Sequence, residues 1–92
     1  MRRAARRDDN ETEIVQALRK AGAYVAFIDS PCDLIVGYQN RTILLECKDG
    51  SKPPSARKLT DNEQKFHDAW TGGPLYIVTG VNEALATLTD AI

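Results

Sequence analysis

The feature that most restricts the fold is a stretch in which three apolar, β-rich runs follow one another with only short breaks between them. Tyr24 to Ile28 ends at Asp29-Ser30-Pro31, Asp33 to Tyr38 ends at Gln39-Asn40, and a third run extends from Arg41 to Lys48. Their valine, isoleucine and tyrosine content suits the pleated, half-buried surface of a sheet. A parallel pair needs a long crossover, so the short Gln39-Asn40 connection commits the second and third strands to an antiparallel hairpin.

After Lys48 the chain changes character. Asp49-Gly50-Ser51-Lys52-Pro53-Pro54-Ser55 reads as a loop, because its prolines and glycine remove any regular ladder. Thr60-Asp61-Asn62-Glu63 has the form of a capping box, with Thr60 as N-cap and Glu63 reaching back. It predicts a helix to about Thr71 with Phe66, Ala69 and Trp70 on its apolar face. Gly72-Gly73-Pro74 ends that helix, Leu75 to Thr79 predicts a fourth strand, and Asn82 is placed to cap a last helix through Glu83, Leu85 and Leu88. Upstream, Ile14, Val15, Leu18 and Ala21 recur at helical spacing between Asn10, a candidate cap, and Gly22, predicting a helix from about Glu11 to Ala21. The expected order is α-β-β-β-α-β-α. It is an α/β fold in which a right-handed parallel crossover is added to an antiparallel hairpin, giving a mixed sheet with helices packed on it.

A chain of 92 residues has room for one such domain, with residues 1–9 expected to be a flexible basic segment. Apolar residues at 42% and charged residues at 27% are the composition of an ordinary globular domain. No apolar run approaches the length of a membrane span, and Met1 to Arg7 lacks the apolar stretch of a secretory signal, so an intracellular protein is expected. In that setting Cys32 and Cys47 are expected to be reduced, buried thiols. The net charge of −1 gives no overall attraction to nucleic acid, and any basic surface must be local. Arg2, Arg3, Arg6 and Arg7 form one cluster, and Lys52, Arg57 and Lys58 form another in the central loop.

The residues with chemistry are Asp33, one residue after Pro31-Cys32, and the Glu46-Cys47-Lys48 run that ends the third strand. Side chains alternate along a strand, so Glu46 and Lys48 share a face and Cys47 points to the other. If the hairpin sets Asp33 beside Glu46, two carboxylates and an ammonium converge at one end of the sheet. Paired carboxylates repel unless a cation neutralises them, and oxygen ligands of this kind suit Mg²⁺. An ammonium beside an attacking water orients it and opposes the charge that builds on a phosphate. A solvent-facing hairpin would explain the same residue types, but Leu34-Ile35-Val36 and Ile43-Leu44-Leu45 suggest strands buried on both faces, where unpaired charge is expensive. Glu11 lies on the inward face of the first helix. It either completes the site or complements the helix N-terminus, a contribution of about 0.3–1 kcal/mol. With no Cys-x-x-Cys pair, zinc is not expected, and His67 reads as a helix-surface residue.

Pro31-Cys32-Asp33 followed after a hairpin by Glu46-Cys47-Lys48 resembles the PD-(D/E)xK nuclease signature. The wider pattern is similar to the VRR-Nuc family of that superfamily, especially its short stand-alone bacterial and phage members. It comprises Asn10-Glu11-Thr12-Glu13-Ile14-Val15, Pro31-Cys32-Asp33-Leu34, Leu45-Glu46-Cys47-Lys48-Asp49-Gly50, and Lys58-Leu59-Thr60 through Gln64, Phe66 and His67. The resemblance implies a restriction-endonuclease-like αβββαβ core with a C-terminal helix, and Mg²⁺-dependent hydrolysis of DNA phosphodiesters with Mn²⁺ able to substitute. It implies metal binding by Glu11, Asp33, Glu46 and the Cys47 backbone carbonyl, water activation by Lys48, and a catalytic role for Gln64. Short members resemble Holliday-junction resolvases, so the implied partner is branched DNA and the implied assembly a twofold homodimer. Arg6, Arg7, Lys52, Arg57 and Lys58 would grip phosphates. No membrane and no small-molecule substrate is expected. Flap, nicked or plain duplex substrates, and a non-catalytic nucleic-acid-binding module, remain open alternatives.

Overall fold

The Gln39-Asn40 hairpin is the centre of the architecture. A computed structural model describes residues 10–89, so Arg6, Arg7 and the rest of the basic segment lie outside the described residues. Helix α1 spans Glu11–Lys20, strand β1 Tyr24–Phe27, β2 Leu34–Tyr38, β3 Arg41–Cys47, α2 Asp61–Ala69, β4 Leu75–Val78 and α3 Val81–Thr89. The order is the predicted one, with each strand one residue shorter than expected and a 3₁₀ turn at Pro54–Arg57 added to the central loop. Gln39 and Asn40 have φ of 50° and 68°. Two successive positive φ values make the primed turn whose twist matches the strands it joins. Asparagine tolerates this backbone, whereas glutamine is strained in it. Gln39→Gly is therefore expected to stabilise the fold by about 0.5–1 kcal/mol. A raised urea midpoint with unchanged slope would show this, and a lowered midpoint would place the strain elsewhere.

The sheet runs β1-β2-β3-β4, with the first three strands antiparallel and β4 parallel to β3. Register sets Leu34 opposite Leu45, Val36 opposite Ile43 and Cys47 opposite Val78. These side chains, with Val25, point to one face and are buried against Ile14, Val15 and Leu18 of α1 and Ala84 and Leu88 of α3. The other face departs from the expectation of strands buried on both sides. Ile35 and Leu44 are only half-buried there, Tyr24 and Ile77 are exposed, and no residue of α2 is itself buried. The short α2 covers just part of that face, where Glu46 lies.

Two expected caps are replaced by other contacts. Asn10 makes no side-chain cap to α1. Its Nδ2 instead donates to Lys48 O (3.1 Å) and Thr79 O (3.0 Å), tying the start of α1 to the ends of β3 and β4. Asn82 lies inside α3, and Glu83 instead accepts from Thr79 N (2.7 Å) and Thr79 Oγ1 (2.9 Å). The Thr60-Glu63 capping box forms as predicted. Asn10→Ala strips two carbonyl oxygens of their donor at once, and is expected to cost about 1–3 kcal/mol in thermal or urea unfolding. A loss no larger than that of Gln16→Ala on the exposed side of α1 would deny Asn10 this role. Among the described residues, no helix is long and apolar enough to cross a membrane.

Candidate active site

The hairpin sets the first two site residues against each other. Asp33 lies one residue before β2, where the pairing ends at Leu34 and Leu45, and its N–H donates to Leu45 O (3.2 Å), which holds it against the end of β3 next to Glu46. Asp33 Oδ2 also accepts from the Cys47 N–H (2.7 Å), which fixes its carboxylate at the end of β3. Glu46, on the α2 face, is only 1% exposed. Burial first, and then the neighbouring carboxylates of Asp33 and Glu63, push its pKa up to about 9. With no cation bound, a carboxyl in this condition keeps its proton at neutral pH, and a bound cation would take the proton's place. Its Oε1 is buried and has no hydrogen-bond partner.

Helix α1 supplies the next group from the opposite side of the sheet. Glu11 is buried at 2% exposure, at the helix start that Asn10 holds against Lys48 and Thr79. Ligand atoms of Glu11, Asp33 and Cys47 all lie within 4.8 Å of one another, so these residues can hold a metal ion. The Cys47 atom in this group is its Sγ, contrary to the expectation that the thiol points away from the acidic residues. The strand does turn Cys47 from Glu46. It turns it toward α1, and α1 brings Glu11 there. Asp33, at the strand end, reaches both sides.

No family model, curated protein or solved structure matches this chain. What the site can do is therefore set by its own atoms.

Lys48 follows β3, with its N–H donating to Val78 O (2.9 Å). Its Nζ donates to Glu63 Oε1 at 2.9 Å, with 12% of the Lys48 side chain exposed. Glu63 Oε1 also accepts from Thr60 N (2.8 Å), so the capping box that starts α2 holds the lysine partner in place. Burial pushes the Glu63 carboxyl up, but the Thr60 N–H and the Lys48 ammonium outweigh it and leave the pKa below its ordinary value. Glu63 is thus the ionised partner of Lys48, while Glu46 beside it holds its proton.

Gln64 is not brought to this cluster. It is exposed, and its Nε2 donates to Asp68 Oδ1 (2.8 Å) along the outer side of α2. Glu63 and His67, one turn apart, occupy the inner side instead. His67 is not the surface residue expected from its helix position, for its side chain is 12% exposed and its Nε2 lies 3.9 Å from Glu46 Oε1. The capping-box pattern marked Glu63 only as a cap, and nothing local marked His67. Lys52 and Lys58 are exposed on the connection between Lys48 and α2, and Arg57 is half-buried with its Nε unpartnered. Cys32 and Cys47 are buried thiols that form no disulfide, as expected. Burial, then the Glu46 and Asp33 charges, push the Cys32 thiol up to about 11, which makes it a packing residue rather than a nucleophile.

Proposed function

We propose that this protein is a divalent-metal-dependent DNA endonuclease whose site comprises Glu11, Asp33, Glu46 and Lys48. The observation that carries this reading is the group of Glu11, Asp33 and Cys47 at the end of β3, whose ligand atoms lie within 4.8 Å of one another, with the buried Glu46 next to Cys47 in the strand and its Oε1 without a hydrogen-bond partner. The donor set fits a cation, with Glu11, Asp33 and Glu46 as oxygen ligands for Mg²⁺ or Mn²⁺ and Cys47 adjoining by its carbonyl or its thiol. When bound, such an ion supplies positive charge to the scissile phosphate and lowers the cost of the developing negative charge.

The chain's own residues do the rest. Lys48, anchored by its backbone to β4 and by its ammonium to Glu63, presents a fixed positive charge that orients the attacking water and stabilises the phosphate as it gains charge. Asp33 is locked by the Cys47 N–H, so the ligand geometry is set before substrate arrives. Lys52 and Lys58, exposed on the connection from Lys48 to α2, would hold phosphates, giving affinity that falls with salt and depends little on sequence. A branched duplex is the substrate that suits paired copies of the site. The exposed Tyr24, Ile77 and Trp70 beside the partly covered sheet face provide apolar surface for pairing two copies.

The test is cleavage of a labelled four-way junction, flap, nicked duplex and plain duplex, with Mg²⁺ or with EDTA. Metal-dependent paired nicks across the junction are expected. A preference for another substrate would keep the nuclease and discard junction resolution. Retained DNA binding with no cutting of any substrate would make the protein a non-catalytic binding module.

A further inference from the structure

We infer that His67 Nε2 and Glu46 Oε1 together hold a divalent transition-metal ion on the α2 side of the sheet, with Glu46 lying between this position and the Glu11, Asp33 and Cys47 group on the α1 side. The two atoms lie 3.9 Å apart, beyond hydrogen-bonding distance. Both are buried and neither has a hydrogen-bond partner. Two such orphaned polar atoms facing each other are costly unless something between them satisfies both.

The spacing suits an ion. Metal–nitrogen and metal–oxygen bonds of about 2.1 Å each allow two donors on one ion to stand up to about 4.2 Å apart. The surroundings hold the pair in place. Phe66 packs edge-on against the His67 ring at a centroid distance of 5.7 Å, and Glu46 is fixed in the parallel ladder opposite Ile77. Lys48, which follows Glu46 by two residues, is engaged by Glu63, one turn before His67 on α2. An imidazole nitrogen beside a carboxylate prefers Mn²⁺, Co²⁺ or Zn²⁺ to Mg²⁺. The inference rests on reading Glu46 as a metal ligand, but cleavage of DNA plays no part in testing it.

The full chain contains one histidine, so its imidazole proton signals are unambiguous. Metal-free protein is titrated with Co²⁺ and followed by proton NMR and by absorption. His67 signals are expected to show a large paramagnetic shift that saturates with about one equivalent. His67→Gln is expected to weaken that binding by about tenfold or more. A sulfur-to-cobalt charge-transfer band reports separately on Cys47. If that band develops while the His67 signals stay unshifted, the ion binds only on the α1 side and the inference is overturned. The NMR readout on the unaltered chain keeps the test valid even if His67→Gln unfolds.

Discussion

Lys48→Ala is expected to lower the rate of Mg²⁺-dependent DNA cleavage by about 10²- to 10⁴-fold. The substitution removes the ammonium that directly follows β3 and pairs with Glu63. The fold should survive, because Lys48 is held by its backbone N–H on Val78 O and its side chain contributes nothing to the apolar core. Loss of the contact with Glu63 is expected to cost no more than about 1–2 kcal/mol. Single-turnover cleavage beside a thermal melt separates the two effects. A rate within a factor of a few of wild type would remove Lys48 from the chemistry. A collapse of the melt would make it a structural residue. Lys48→Arg discriminates further, since it keeps the charge but not the compact ammonium that pairs with Glu63 at 2.9 Å.

Glu46→Gln should have the second large effect, visible without substrate. In the metal-free protein the Glu46 carboxyl binds its proton more tightly when folded than when unfolded, because burial and the Asp33 and Glu63 carboxylates oppose its charge. Its stabilising contribution is then complete below the ordinary glutamate range and is lost as pH rises toward about 9. Each tenfold difference in proton affinity is worth about 1.4 kcal/mol. Stability in EDTA is thus expected to fall between roughly pH 5 and pH 9, and Glu46→Gln should flatten that fall. Glu63 has the opposite sign, its lowered pKa contributing stability that is lost as pH falls, so it acts at the acidic end of the profile. Saturating Mg²⁺ should restore stability to wild type at high pH and leave Glu46→Gln unchanged. Identical pH profiles for the two proteins would mean that Glu46 is not under electrostatic stress.

The hairpin, the element order, the Thr60 capping box and the opposition of Asp33 to Glu46 were all legible in the sequence. Each depends on local rules: a short connection forces antiparallel pairing, side chains alternate with a period of two, and both site residues lie close to one turn. Where expectation failed, the missing quantity was the docking of one element on another. The apolar side of α2 around Phe66 already turns Glu63 and His67 inward and Gln64 outward, but only the docking of α2 on the sheet sets Glu63 on Lys48 and His67 near Glu46. Apolar letters at Ile35 and Leu44 suggested cover on both sides, but cover depends on how far a short helix extends over the sheet.

By itself the sequence determined a mixed α/β sheet and the placing of two carboxylates and a lysine at one end of a hairpin, because pairing and alternation act within a few residues of a turn. Only the tertiary structure decided that Asn10 staples α1 to the strand ends, that Glu11 meets Asp33 and the Cys47 thiol, and that α2 supplies Lys48 with its partner. Those contacts join residues far apart in the chain, and their geometry comes from the burial of whole helix faces on the sheet.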